Sequence, residues 1–336
     1  MKKFIKNRDS IIDLQYSVIK KPLPYFIYKG LNEYTKKSNF YHPQPKELIL
    51  KISKKHNISK SKIMLTAGSD ESILALANLY GKKTVIFTPT YNEYSRVKDF
   101  YGKLRIIRGL KGSCYQISPK KYEDATLIFI ANPNNPFGVT QKNTLKKITE
   151  KNLNTVIVID EAYGKFCNIS MVADVSNYKN LVVLKSFSKD FGMAGIRLGY
   201  VLANEKIIRN LKKIIQVSNV SYLSVGAAIL ALDNEWYFDK LIDSLIEERE
   251  DFYNFLLKRN FNVIDSNINV VVIKFKSNEG SSKFVEYLKK SSILANAGNG
   301  KGNIGLNDSY VRIAIGSKQQ MKITKSVIKN YLHENK

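Results

Sequence analysis

Lys189 stands in the run Leu184-Lys185-Ser186-Phe187-Ser188-Lys189-Asp190-Phe191-Gly192-Met193-Ala194-Gly195-Ile196-Arg197, directly after an apolar stretch at residues 181–184. An amine just beyond a buried strand, beside a hydroxyl and eight residues before an arginine, is suited to hold an aldehyde cofactor as a Schiff base. The hydroxyl and the guanidinium would then hold the cofactor's phosphate, for which the planar arginine fork is well matched. Phe187, Phe191, Met193 and Ala194 make the surroundings apolar, which favours the neutral, nucleophilic amine.

Five further features carry chemistry. In Thr66-Ala67-Gly68-Ser69-Asp70-Glu71 a strand ends and a helix opens; Gly68 permits close backbone approach, Ser69 and Asp70 are N-cap residue types, and the exposed N–H groups form an anion site. In Thr88-Pro89-Thr90-Tyr91-Asn92-Glu93-Tyr94 a projecting aromatic can stack on a flat heteroaromatic ring. Two prolines and a glycine around three asparagines make Asn132-Pro133-Asn134-Asn135-Pro136-Phe137-Gly138 a rigid loop, in which a fixed amide can donate to a phenolate oxygen. In Ile159-Asp160-Glu161-Ala162-Tyr163 a carboxylate ends a buried strand and needs a cationic partner, which a protonated pyridine nitrogen supplies, while Tyr163 can reach the ring oxygen. Arg312 alternates with apolar residues in Tyr310-Val311-Arg312-Ile313-Ala314-Ile315; facing inward, it must meet an anion such as a substrate carboxylate or phosphate.

The elements that must position these residues are legible as periodicity. Apolar, β-branched runs at residues 63–66, 84–88, 104–107, 127–131, 156–159, 181–184 and 198–202 alternate with helical patterns at 71–80, 94–101 and 143–153. This predicts an α/β fold with a mostly parallel, seven-stranded sheet whose strands are buried on both faces. The motifs fall at the C-terminal ends of such strands, where open α/β sheets place their sites. After residue 217 the pattern changes to helices at 225–232, 235–259, 283–290 and 319–332 with strands near 270–275 and 311–315, a smaller α+β domain. The expected organisation is an N-terminal segment, 1–35, a large domain, 36–217, and a small domain, 218–336. The first segment reads as irregular, with Pro22 and Pro24 restricting the backbone, and should pack on the small domain or a neighbouring subunit. The glycine-rich stretch 298–305 reads as a surface loop or lid.

Composition excludes several classes. A chain of 336 residues with 44% hydrophobic content can form a sizeable core. The absence of a long apolar run, together with a charged N-terminus, predicts a soluble, cytoplasmic protein without a membrane segment. Cys114 and Cys167 are far apart with no His/Cys cluster, so a disulfide framework or metal site is not expected, and both read as buried or half-buried side chains. The net charge of +25 is nearly all lysine spread from Lys2 to Lys336, and clusters such as 51–60 fall in a helix-like segment with a solvated face. A nucleic-acid partner is therefore not expected, and a small anionic substrate accounts for part of the charge.

Taken together, the motifs resemble the fold-type I pyridoxal-phosphate-dependent aminotransferases, and most closely the histidinol-phosphate aminotransferase branch, from about Phe40 to the C-terminus. The resemblance rests on Asn132 to Gly138, Asp160-Glu161-Ala162-Tyr163, Ser186-Phe187-Ser188-Lys189 and Ala194-Gly195-x-Arg197-x-Gly199. It implies pyridoxal 5'-phosphate bound to Lys189 as a Schiff base, with Asp160 on the pyridine nitrogen, Asn135 and Tyr163 at the ring hydroxyl, and Tyr91 stacked on the ring. It further implies Gly68, Ser69, Asp70, Ser188 and Arg197 around the phosphate, and Arg312 on the substrate anion. Tyr41, in Asn39-Phe40-Tyr41-His42-Pro43, matches a tyrosine lent to the neighbouring subunit's phosphate, which implies a homodimer.

The implied activity is transfer of an amino group between a donor, expected to be glutamate, and a small anionic or phosphorylated carbonyl acceptor. Related threonine-phosphate decarboxylases share the scaffold and motifs, so decarboxylation of a phosphorylated amino acid is the alternative. A regulator with an aminotransferase-like sensor domain is a third reading, but about 40 residues before the fold are too few for a helix-turn-helix domain and linker. Two departures bear on the substrate. Asp13-Leu14-Gln15-Tyr16-Ser17-Val18 stands where the branch carries an Asn-Glu-Asn-Pro-like segment, and Ala295 takes the place of a second anion-binding arginine.

Overall fold

The computed structural model describes residues 11–99, 102–300 and 302–334. Its centre is a seven-stranded sheet of Ile63–Thr66 (β1), Lys83–Thr88 (β2), Lys103–Arg108 (β3), Leu127–Ala131 (β4), Val156–Asp160 (β5), Leu181–Ser186 (β6) and Gly199–Ala203 (β7), in the order β1-β7-β6-β5-β4-β2-β3. Only β7 runs antiparallel, to both of its neighbours. The interior strands are apolar on both faces because helices cover both sides; Ile157, Val158 and Ile159 are wholly buried. Each such side chain contributes about 1.5–3 kcal/mol by leaving water. The edge strand β3 is the exception to the expected two-sided burial, since it has one neighbour and Lys103, Arg105, Ile106 and Arg108 are exposed. Its charges protect an open edge from pairing with another chain.

Register decides what the strand ends bring together. Asp160 pairs with Ala131 on one side and Leu184 on the other, while Gly199 pairs with Ser186 and Thr66. The loops after β1, β4, β5 and β6 thus emerge side by side at one edge of the sheet.

A second sheet is formed by Val263–Ile264 (β8), Val270–Lys274 (β9), Asn296–Ala297 (β10) and Tyr310–Ala314 (β11), ordered β8-β9-β11-β10 and antiparallel throughout. Helices Glu235–Leu257, Asn278–Lys290 and Lys318–Glu334 accompany it.

Several expectations need correction. The N-terminal region is not irregular: Ile12–Asp13 pairs in parallel with Ile293–Leu294, and Tyr25–Thr35 is a helix packed on Tyr222–Asp233. Pro24 is its N-cap, where a missing N–H costs nothing, so the proline starts the helix instead of preventing one. The first ten residues of this segment lie outside the described residues. The helical pattern at 94–101 is a 3-10 segment, Asn92–Asp99, and Phe100 and Tyr101 lie outside the described residues. The helix predicted through residue 60 ends at His56, where Asn57 turns left-handed at φ +52°. Cys114 is exposed, since it sits on a short hairpin strand at the surface, and Cys167 is half-buried.

The stretch 298–305, expected as a surface loop or lid, is tied down at Asn303. Asn303–Ile304 adds a strand to Thr90–Tyr91, and Asn303 Nδ2 donates to Asn135 O at 2.8 Å and Thr90 O at 3.3 Å, which ties this segment to the loops after β2 and β4. Lys301 lies outside the described residues.

Candidate active site

The strand-end loops enclose one cleft. Ser69, Asp70, Tyr91, Asn135, Asp160, Tyr163, Ser188, Lys189 and Arg197 all line it, and Gly68 stands beside Ser69 at its floor. Residues scattered over four strand-end loops and one helix start therefore meet in one place.

Helix Gly68–Tyr80 begins at the floor. Its N-cap is Ala67, not Ser69 or Asp70, which lie inside the first turn; Glu71 Oε2 accepts from Ala67 N at 2.8 Å and does the capping from within. The early N–H groups are thereby left to face the cleft, a positive end suited to phosphate. Gly68 adopts φ +79°, and a Cβ there would lie 2.8 Å from Arg197 Nη2. Gly199 is equally constrained, since a Cβ would meet Ser69 N and Gly68 C at 3.0 Å. Arg197 Nη2 pairs with Asp70 Oδ2 at 2.7 Å, and Tyr91 donates to Asp70 Oδ1 at 2.9 Å. The Asp70 carboxylate is thus engaged by its neighbours, leaving its backbone N–H as the group that can face an anion. Gly68→Ala should weaken cofactor binding about tenfold or more, because left-handed backbone costs about 1–2 kcal/mol at a residue with a Cβ and the arginine must shift. Spectroscopic titration of the cofactor-free protein measures it.

Lys189 lies in the short helix Phe187–Asp190, whose start is fixed by Ser186 Oγ accepting from Ser188 N at 3.1 Å. Its Nζ donates to Ser17 O at 3.2 Å and sits 5.5 Å from the Tyr163 ring centroid. Tyr163 OH lies 2.5 Å from Ser17 Oγ and accepts from Asn135 Nδ2 at 3.5 Å. Asp160 is buried at the end of β5; Tyr94 donates to its Oδ2 at 2.7 Å and Ala162 N to its Oδ1 at 3.0 Å. Burial pushes its carboxyl up to about 6, against the pull of those two hydrogen bonds.

Arg312 is buried, as its alternation on β11 requires, but lies outside the cleft lining. Its Nη2 donates to Gln15 O at 2.9 Å and its Nη1 to Asn135 Oδ1 at 3.3 Å, and burial holds the guanidinium below its ordinary value. Ala295 is buried; it precedes Asn296, which pairs with Arg312 across the sheet, and its carbonyl accepts from Gln15 Nε2 at 3.5 Å. Tyr41 is not in its own chain's cleft: it is 88% exposed and lines a separate hollow with Phe40, His42 and Tyr222.

Three residues that hold the cleft's side chains in place escaped sequence reasoning. Ser186 was legible in principle as the N-cap of the lysine helix. Tyr94 is a phenol three residues after Tyr91, too little to reveal its carboxylate acceptor. Ser17 had no signal at all, because it reaches Tyr163 across 146 positions of chain.

The class I and II aminotransferase family model matches residues 17–328. This chain is a class I and II aminotransferase. It is a pyridoxal-phosphate-dependent transaminase, as its family is. The aminotransferase is 32% identical over 289 residues to the histidinol-phosphate aminotransferase of Pyrococcus furiosus, covering 83% of this chain and 79% of that one. Among solved structures it resembles the histidinol-phosphate aminotransferase of Clostridium acetobutylicum, with a TM-score of 0.86 at 26% identity over 96% of this chain and 100% of that one. It has the same fold as the L-threonine-O-3-phosphate decarboxylase of Porphyromonas gingivalis, with a TM-score of 0.84 at 22% identity over 96% and 100%.

The residues of the aminotransferase fit the cofactor: a glycine cradle that a Cβ would fill, an arginine and a helix start for a dianion, a buried carboxylate, and an amine between them. Among the described residues no helix is long and apolar enough to cross a membrane.

Proposed function

We propose that the aminotransferase moves an amino group between glutamate and a small anionic or phosphorylated carbonyl compound, in the manner of histidinol-phosphate aminotransferases. The observation that supports this best is the convergence of Lys189, Asp160, Asn135, Tyr163 and Arg197 on one cleft, with Arg312 hydrogen-bonded to Asn135 at its margin. When bound, the cofactor supplies a carbonyl for amine exchange and an electron-poor ring that takes up the electron pair left at the substrate's Cα.

The chain's own residues do the rest. Lys189 would hold the cofactor at its carbonyl carbon and, once freed by the substrate's amine, would take the proton from Cα and return it to that carbon. The Asp160 carboxylate holds a proton on the ring nitrogen, Asn135 and Tyr163 orient the ring oxygen, and Tyr91 covers one face. Backbone N–H groups of Gly68, Ser69 and Asp70, with Ser188 and Arg197, hold the phosphate. Arg312 exchanges the Gln15 carbonyl for a substrate carboxylate. With Ala295 in place of an arginine, substrate selection rests more heavily on Arg312. In this reading residues 36–217 form the cofactor domain, 218–336 the smaller domain and 1–35 a segment that packs on the small domain or a neighbouring subunit, as Ile12–Asp13 on Ile293–Leu294 and Tyr25–Thr35 on Tyr222–Asp233 support. The protein acts as a homodimer with Tyr41 reaching the neighbouring site; its exposure in the single chain fits that role.

Incubating the loaded protein with L-glutamate should convert the bound cofactor to its amine form, seen as loss of visible absorbance with release of 2-oxoglutarate. CO₂ release from a phosphorylated amino acid without that conversion would instead support decarboxylation. Arg312→Met should raise KM for glutamate about 10- to 100-fold, the loss of a charge-assisted pair, while leaving the cofactor's absorbance intact.

A further inference from the structure

Tyr94 is a buried phenol, 1% exposed, in the 3-10 segment that follows the Tyr91 loop. Its ring stacks on Phe129 at 4.9 Å and 6°, and meets Tyr91 edge-on at 5.8 Å. These contacts need only a ring, so packing does not explain the hydroxyl. A buried hydroxyl without an acceptor is costly, and this one donates to Asp160 Oδ2 at 2.7 Å. Because the phenol is the donor, the contact favours the ionised carboxylate. Ala162 N takes the other oxygen, so the plane of the carboxylate is set from two elements at once.

The charges around Asp160 make such a donor useful. Burial raises its proton affinity, and Asp70 and Glu161 raise it further, while Lys189, Arg197, Tyr91 and Tyr163 face the same cleft. Burial and the Asp160 charge push the Tyr94 phenol well above its ordinary value, so it remains a donor throughout the neutral range.

We infer that Tyr94 is a positioning residue, which by donating to Asp160 Oδ2 keeps that carboxylate ionised and oriented to hold the proton on the cofactor's ring nitrogen. The inference rests on the reading that Asp160 faces that nitrogen.

The test uses full-length protein loaded with pyridoxal phosphate isotopically labelled at the ring nitrogen, whose protonation is followed by NMR against pH, together with the rate of cofactor release. Tyr94→Phe keeps the stacked ring and should lower the nitrogen's midpoint by about one unit, the size of a charge-assisted hydrogen bond, and speed release about tenfold. A difluorinated tyrosine at position 94, a stronger donor of the same shape, should raise the midpoint. Asp160→Asn should lower it further than Tyr94→Phe does. If Asp160→Asn lowers the midpoint and Tyr94→Phe does not, the inference on Tyr94 is overturned while the reading of Asp160 stands. An unchanged midpoint in both overturns both. Should Tyr94→Phe fail to fold, the fluorinated variant decides, and an unchanged midpoint there overturns the inference.

Discussion

Replacing Lys189 by alanine abolishes the visible absorbance of the loaded protein and lowers turnover by more than about 10⁴-fold, since one side chain supplies both the covalent attachment and the proton transfer at Cα. The side chain is set for both tasks. Its helix is capped by Ser186, its neighbours Phe187, Phe191 and Met193 are buried, and its amine is directed to the Ser17 carbonyl and the Tyr163 ring. Lys189→Arg separates charge from nucleophilicity: it retains a cation in the cleft and should be as inactive as the alanine variant. Absorbance spectra and steady-state rates of both variants provide the measurement, and retained absorbance or turnover in the alanine variant would sink the assignment.

Lys185→Met destabilises the protein by about 3–5 kcal/mol, the range for removing one partner of a buried ion pair. Lys185 is the residue before Ser186 on β6, and its Nζ lies 2.9 Å from Glu161 Oε2. Glu161 is wholly buried, and its two oxygens also accept from Met171 N and Ser170 Oγ, both at 2.7 Å. Burial pulls the Lys185 amine down, but the Glu161 and Asp190 carboxylates outweigh it and hold it above its ordinary value. Asp190, also buried, is pushed up to about 7 against the pull of the Lys185 charge. Without the lysine, Glu161 keeps its hydrogen bonds but loses its cation, and Asp190 loses the larger of two lysine charges that favour its ionised form. Denaturant unfolding measures the loss; adding Glu161→Gln to the variant should recover at least half of it, because the stranded charge is then gone. A loss below about 1 kcal/mol in the single variant would show that the pair does not anchor the fold. Asp160 precedes Glu161 and Lys189 precedes Asp190, so this cluster ties two cleft residues to the protein from behind.

The strands and most helices were legible because they are local in origin. Runs such as 156–159 and 181–184 are buried on both faces and therefore continuous in apolar residues, and a motif at the end of each names the residue that emerges there. Boundaries failed where tertiary contacts overrode local signals. Pro22 and Pro24 read as breakers, yet Tyr25–Thr35 is helical because Ile27 is buried and the helix packs on Tyr222–Asp233. The glycines at 298–305 read as a surface loop or lid, and the bond from Asn303 to the loop holding Asn135 could not be read from them.

The sequence by itself determined which residue types stand at the ends of the strands, and hence the family, the fold and the cofactor chemistry, since type and spacing along one strand-loop-helix unit are local properties. Only the tertiary structure decided how those residues are held. Ser17 on Tyr163, Tyr94 on Asp160 and Gln15 on Arg312 join positions 146, 66 and 297 apart. Such contacts follow from which loops the sheet order sets side by side and how the N-terminal strand docks, and no local pattern encodes either.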